Sequence, residues 1–267
     1  MENKNKKIPL SVIIKTKNAQ NTLYSTLEST KNCDEIIVLD EHSTDDTIEI
    51  IQEYRAKIIY FDEIKSAFRQ AINEAKNDWV FIIEQDEIIS NNLLNEIKNY
   101  ISNPKKNKDI VSFKLKTFYL KKEIKAAREK NLLRLFKKES VDFTFKPELK
   151  INKKGKVFKL KSDYKKDNTC ILKYLESDIS KTLQKIILKD KILSKNIDKS
   201  TGIIKKPILK FLYWYLFKGA IFDFEYGFIF SKLKFIEEFI LQVMILEKNQ
   251  KKEMEDDFWW IKKYCSI

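Results

Sequence analysis

Trp79-Val80-Phe81-Ile82-Ile83-Glu84-Gln85-Asp86-Glu87 is the stretch from which the fold can be read. Its apolar run follows Asn77-Asp78 and ends in carboxylates at Glu84, Asp86 and Glu87. This pattern predicts a strand buried on both faces whose C-terminal end opens into an acidic site. Ligands of open parallel sheets bind outside that end of the strands. Carboxylates crowded there raise one another's pKa unless something positive neutralises them, and an oxygen-bound divalent cation is the usual neutraliser. A metal site is the sharp expectation and a solvated acidic turn the bland one.

Upstream, Pro9 to Ile14 predicts a first buried strand ending at the polar turn Lys15-Thr16-Lys17-Asn18. Residues 20–31 carry Leu23, Leu27 and Thr30 at helical spacing. Glu35 to Asp40 repeats the buried-strand pattern and again ends on a carboxylate. The next turn, Glu41 to Thr47, leads into a helix with Ile48, Ile51 and Tyr54 on one face, and Ser43-Thr44-Asp45 is expected to cap it. Lys57 to Phe61 predicts a third strand, and Ser66 to Lys76 a helix with Phe68, Ala71, Ile72 and Ala75 inward. Such β-α alternation means a mostly parallel sheet with helices on both faces.

Downstream, a helix over 91–101 stops at Asn103-Pro104, and Ile110 to Leu120 alternates like a strand with one wet face. Asn131 to Lys138 predicts another strand, and Val141 to Lys161 short extended pieces. After Asp178, an expected N-cap, Ile179, Leu183, Ile186, Ile187 and Leu193 recur at helical spacing. Pro207 to Leu246 is rich in aromatics, but Lys210, Lys218, Asp223, Glu225, Lys232 and Lys234 break it below the ~20 uncharged residues of a membrane span. The expected division is an α/β part, 1–165, and a helical, aromatic-rich appendage, 166–267. The appendage has two readings: core packing, and docking of exposed aromatics and lysines on an anionic membrane surface.

A net charge of +13 points to a polyanionic partner or an anionic membrane surface. The arginines are confined to Arg55, Arg69, Arg128 and Arg134, whereas base and phosphate readout favours arginine, so specific nucleic-acid recognition is not expected. Cys33, Cys170 and Cys265 are far apart and form no Cys-x-x-Cys pair, which fits a reducing cytosol. The apolar run after the lysine-rich N-terminus is too short for a signal peptide.

The first glycine is Gly155, which excludes a Walker loop or a Gly-x-Gly-x-x-Gly turn in the α/β half. A nucleotide diphosphate bound there needs a metal, held by Asp86, and cations such as Arg69, Lys15 or Lys17. Asp40 and Asp86 share the rim of strand C-termini, so Asp40 is placed to accept a base N–H while Asp86 reaches a metal on the phosphates. The bland role of Asp40 is a turn or helix cap, and the same holds for His42.

Residues Leu10 to Asn18, Asp34 to Thr47 and Asp78 to Glu87, in that order and spacing, resemble family 2 glycosyltransferases, and more narrowly the bacterial lipopolysaccharide core glucosyltransferases of that family. Asn131 to Lys138 resembles the family's Arg-Leu-Phe strand, and Gly219 to Phe230 its aromatic Gly-Phe segment. The resemblance implies a GT-A type fold, a divalent metal (Mg2+ or Mn2+), a UDP-sugar donor, and inverting hexose transfer to a lipid-linked oligosaccharide at the inner face of the cytoplasmic membrane. It also implies that Asp40 contacts the uracil, that Asp86, with Glu84, holds the metal, that Arg69 flanks the phosphates, and that Lys15, Thr16, Asn18 and Gln85 line the nucleotide pocket.

Two departures stand out: the usual Asp-Ala-Asp is Glu84-Gln85-Asp86, and the family's later His-Glu pair falls at Pro147-Glu148. Glu148 is thereby the candidate general base, with Asp142 second. The alternatives are an inactive nucleotide-binding partner subunit and a basic nucleic-acid-binding protein.

Overall fold

The computed structural model describes residues 7–105, 108–146, 148–153, 156–160, 169–175, 179–195, 197 and 202–264, with backbone alone for 141–153, 253–264 and parts of 179–195. The chain opens with β1 (Ile8–Thr16), α1 (Leu23–Thr30), β2 (Cys33–Asp40), α2 (Thr47–Glu53), β3 (Lys57–Tyr60), α3 (Ile64–Glu74) and β4 (Trp79–Glu84). It continues through β5 (Glu87–Ile89), α4 (Asn91–Ser102), β6 (Ile110–Tyr119), β7 (Lys122–Glu123), β8 (Glu129–Lys137), β9 (Val141–Lys146), β10 (Glu148–Lys153), β11 (Val157–Lys159) and β12 (Ile171–Tyr174). The helices α5 (Ile179–Lys195), α6 (Lys205–Leu212) and α7 (Phe224–Tyr264) follow. Two compact units result: Met1–Phe118 with Arg128–Leu175, and Tyr119–Ala127 with Glu176–Ile267.

In the first unit the strands run in the order β3-β2-β1-β4-β8-β6-β12-β5. The expected parallel core is present: β3, β2, β1 and β4 are mutually parallel. Strand β8 enters antiparallel between β4 and β6. Strand β12 lies parallel to β6 and antiparallel to β5. The sheet therefore extends past residue 165 to β12, because Ile171–Tyr174 has a partner on both sides. Strands β9 and β10 form a separate antiparallel hairpin. This is the α/β architecture of the GT-A type.

Strand alternation explains why both faces are covered. Leu10, Val12, Ile14, Phe81 and Ile83 pack with Leu23, Leu27, Ile51, Leu93 and Ile97 on one side. Ile13, Ile37, Leu39, Val80 and Ile82 pack with Ala67, Phe68, Ala71 and Ile72 of α3 on the other. An uninterrupted β-branched or aromatic run is what a strand with helices on both faces requires. Helix α4 begins at Ser90, whose Oγ accepts the Leu93 N–H at 3.2 Å.

Local details depart from the sequence reading at several points. Strand β6, expected to have one wet face, is covered on both, with Ser112, Lys116 and Thr117 buried, because it lies inside the sheet between β8 and β12. The Ser43 and Thr44 hydroxyls do not cap α2; its N-cap position is Asp46, with no side-chain cap bond, and Asp45 Oδ1 accepts the Thr47 N–H at 3.2 Å. Ser43 is instead bound to Asp40. Residues 87–89, to which the sequence reading assigns no element, form β5 because β12 supplies a partner that a local pattern does not reveal. The proposed N-cap Asp178 lies outside the described residues.

The second unit is helical. Helix α7 is about 60 Å long at 1.5 Å per residue and packs with α5 and α6. Gly227 lies where a Cβ would meet the Ala220 carbonyl oxygen at 1.9 Å, so only glycine allows this approach. Part of the aromatic stretch is packed and part is exposed. Trp214 packs edge-on against Phe230 at 5.2 Å, and Phe211 stacks on Tyr215 at 5.3 Å. Phe217, Phe222 and Phe224 are 83%, 74% and 81% exposed. No helix among the described residues is long and apolar enough to cross a membrane.

Candidate functional site

The parallel register brings the candidate residues to one rim. Lys15 at the end of β1 sits level with Glu84 of β4, and Thr16 level with Asp40 of β2. Thr16 is fully buried, and its Oγ1 has no hydrogen-bond partner. Asp40 is also fully buried, with Oδ2 accepting the Ser43 N–H at 2.8 Å and Oδ1 the Ser43 hydroxyl at 2.5 Å. Its carboxylate thus fixes the loop after β2, the capping role weighed for it above.

That loop is tied to the one after β1. The Asn18 N–H donates to Ser43 Oγ at 2.9 Å, and Asn18 Oδ1 accepts the Thr44 N–H at 2.9 Å. Asn18 itself takes a positive φ of 47°, for which asparagine is among the better suited residues. Gln85 joins the third loop: its Oε1 accepts the Lys17 N–H at 2.7 Å, while its carbonyl accepts from Thr26 Oγ1 at 2.9 Å. The Gln85 side chain therefore ties the rim together. His42, at φ 51°, stacks on Tyr60 and places Nε2 3.2 Å from Asp62 Oδ1, so it serves the turn.

Two protein cations neutralise the acidic strand end. Arg134 of β8 donates from Nη2 to Glu87 Oε1 at 3.0 Å and lies 3.7 Å from Glu84 Oε1. Lys173 of β12 bonds Glu84 Oε2 and stands 3.5 Å from Asp86 Oδ1. The second Glu87 oxygen accepts the Glu84 N–H at 2.9 Å. Neither cation was identified from sequence as a partner of this cluster. Their signal is weak: Lys173 is one lysine among many, and both approach through pairings of β8 and β12 that are distant in the chain.

The charges shift each other strongly. Burial pushes the Glu84 carboxyl up, but Lys173 and Arg134 outweigh it and hold it at about 2. At Glu87 burial wins: the carboxyl is pushed up to about 7 against the pull of Arg134, and the Glu84 charge adds to the rise. Burial would lower Lys173, yet the facing carboxylates, Asp86 foremost, raise it above the ordinary lysine value. Crowded carboxylates facing few cations shift in opposite directions: Glu84, nearest the cations, is held down, and the fully buried Glu87 is pushed up.

The remaining candidates are placed less centrally. Arg69 is exposed midway along α3 and makes no ion pair with the acidic cluster among the described residues. Asp142 and Glu148 lie on the two strands of the β9–β10 hairpin, and their side chains fall outside the described residues. A cavity of about 190 Å³, lined by Cys33, Asp34, Tyr54, Arg55 and Lys57 among others, opens at the opposite, N-terminal edge of β2 and β3 and includes none of the candidates.

The donor set bears on the metal. Among the described residues no group of three or more His, Cys, Asp or Glu side chains could hold an ion by itself. Asp86, whose side chain is 18% exposed, fits a sparser site in which one carboxylate and substrate phosphates complete the coordination, as is usual for Mg2+.

A family model described as Glycosyl transferase family 2 matches residues 11–157. An uncharacterized glycosyltransferase of Rickettsia typhi is 37% identical over 92 residues, covering 33% of this chain and 32% of that protein. One of Mycoplasma pneumoniae is 30% identical over 120 residues, covering 39% and 40%. These matches thus span only about a third to two-fifths of the relatives' length. Among solved structures, glucosyl-3-phosphoglycerate synthase from Mycobacterium tuberculosis, in complex with Mn2+, UDP and glucosyl-3-phosphoglycerate, is similar at TM-score 0.34 and 21% identity, covering 41% of this chain and 43% of its own. S. aureus TarS is similar at TM-score 0.46 and 13% identity, covering 87% and 54%.

Proposed function

The chain belongs to glycosyl transferase family 2, and from that premise we propose that it transfers a hexose, with glucose from UDP-glucose as the leading donor, to a lipooligosaccharide or lipopolysaccharide core or a related surface glycan. The observation that carries this reading is the convergence of Lys15, Thr16, Asp40 and the Glu84–Glu87 cluster on one rim of parallel strand ends. That is where a nucleotide binds in such a sheet. Asp86 is the residue assigned to a divalent metal, with Glu84 beside it, and the metal would stabilise the departing nucleoside diphosphate. Lys15, Thr16, Asn18 and Gln85 form the nucleotide side; the unpaired Thr16 hydroxyl offers a donor or acceptor there. Asp40 acts by fixing the Ser43 loop against which the base would lie, and Arg69 is kept as a phosphate-flanking cation.

Transfer with inversion requires the acceptor hydroxyl to attack the anomeric carbon as its bond to the diphosphate breaks, with a carboxylate taking the hydroxyl proton. Glu148 is assigned that role, with Asp142 as the alternative on the same hairpin. The donor-binding part is assigned to residues 1–165 together with β12, and the rest of 166–267 to contact with the acceptor or a membrane surface. A reading as an inactive nucleotide-binding subunit draws on one observation, the hold of Lys173 on Glu84 and Asp86.

The test is calorimetry of UDP, GDP and UDP-glucose with and without Mn2+, followed by turnover of UDP-glucose. Metal-dependent UDP binding with turnover supports the transferase; binding without turnover supports the inactive subunit. Absence of nucleotide binding under every condition overturns both.

The lipid-linked acceptor and a location on the inner face of the cytoplasmic membrane draw support from exposed Phe217, Phe222 and Phe224 beside Lys218. Vesicles containing anionic lipid should sediment with the protein. The triple change Phe217→Ser, Phe222→Ser, Phe224→Ser should weaken that binding by about tenfold or more, since burying one such ring is worth ~1.5–3 kcal/mol. Equal binding by the triple variant would leave these rings without a membrane role.

A further inference from the structure

We infer that Lys173 is a built-in competitor for the divalent cation: it neutralises Asp86 and Glu84 in the free protein and yields when a nucleoside diphosphate arrives with the metal. This rests on the donor-site reading above and adds an order of binding to it.

The geometry carries the inference. Lys173 Nζ bonds Glu84 Oε2 and lies 3.5 Å from Asp86 Oδ1, the carboxylates assigned to the metal. An ammonium and a divalent ion on the same carboxylates repel each other, so the lysine weakens the hold of Asp86 and Glu84 on a metal. The backbone of Lys173 is fixed, since it pairs with Glu87 of β5 on one side and Thr117 of β6 on the other. Its side chain is 20% exposed, and lysine is a point charge on a flexible stem, so it can change partners without moving the strand.

Arg134 is not suited to this exchange. Its side chain is 13% exposed and bound at 3.0 Å to Glu87, whose own side chain is fully buried. Metal arriving alone thus meets carboxylates already neutralised. Metal arriving with a diphosphate brings new anionic oxygens to which the ammonium can swing.

The experiment is Mn2+ binding to the full-length protein without sugar transfer, read by the electron paramagnetic resonance of free Mn2+ or by calorimetry, with and without UDP. Wild type should bind Mn2+ weakly alone and more tightly with UDP. Lys173→Met should bind Mn2+ alone about tenfold or more tightly than wild type, and the enhancement by UDP should shrink by a similar factor, because in the UDP-bound protein the lysine has already left the carboxylates; by reciprocity, the enhancement of UDP binding by Mn2+ should shrink equally. Lys173→Gln, which keeps a hydrogen-bond donor for Glu84 without the charge, should behave alike and serves if the methionine variant does not fold. Mn2+ affinity unchanged in a folded variant overturns the inference while leaving the donor site standing. UDP binding that needs no metal in wild type and is lost in Lys173→Met also overturns it, making the lysine a permanent substitute for the cation. Failure of wild type to bind UDP at all removes the donor-site reading itself.

Discussion

Asp86→Asn should lower the rate of sugar transfer by about a thousandfold, the equivalent of the several kcal/mol that a correctly held metal contributes to a departing diphosphate. The fold should survive the change. Asp86 lies at the rim, and without its charge Glu84 and Glu87 still face Arg134 and Lys173, so the remaining cluster has as many cations as carboxylates. Thermal unfolding of the variant should match wild type within a few degrees. Metal-dependent UDP binding should weaken along with transfer, since the carboxylate acts on donor binding as well as on departure. Glu84→Gln separates position from charge: Asp86 is the carboxylate assigned to the metal and Glu84 only stands beside it, so neutralising Glu84 should cost transfer less than loss of Asp86. Asp86→Asn retaining a tenth or more of wild-type transfer would remove Asp86 from the metal role.

How far the sequence reaches is clearest by comparing Ile83 with Lys173. Ile83 belongs to a continuous apolar run bounded by polar residues, a pattern set by local chemistry, and it is buried in β4 as expected. The parallel direction of β1 to β4 follows from the alternation of such runs with helical segments. Lys173 lies in a strand of four residues whose existence depends on β5 and β6, so nothing local marks it. The position of Arg134 was legible as part of a strand, but its pairing with Glu87 depends on β8 entering antiparallel beside β4. The clustered carboxylates pointed, in the sequence, to a metal as the neutralising charge. That protein cations supply it in the free state is a matter of tertiary arrangement, which residue patterns do not encode. Asp40 shows the same limit: its strand end was readable, whereas the direction of its carboxylate toward Ser43 is set by the loop.

Arg134→Met should cost about 3–5 kcal/mol of unfolding free energy near pH 8, the expected result of leaving a buried carboxylate without its partner. Glu87 is fully buried, and its folded-state pKa, pushed up to about 7 from 4.5, means that the folded protein holds this proton more tightly than the unfolded chain. Its contribution to stability is therefore full below the unfolded value and is lost as pH rises toward the folded one. Glu84, held at about 2, behaves oppositely and loses its contribution as pH falls from its unfolded value toward 2. Removing Arg134 takes away the main force holding Glu87 down, so its folded pKa rises further and the penalty extends to higher pH. The deficit of Arg134→Met should consequently be small near pH 5, where Glu87 is protonated in the folded state, and largest near pH 8. Adding Glu87→Gln should recover most of the loss near pH 8, because an amide has no charge to strand there. Urea unfolding of wild type, Arg134→Met and the double variant at both pH values measures each term. A deficit equal at both pH values would locate the cost in lost packing of the arginine side chain and not in the buried charge.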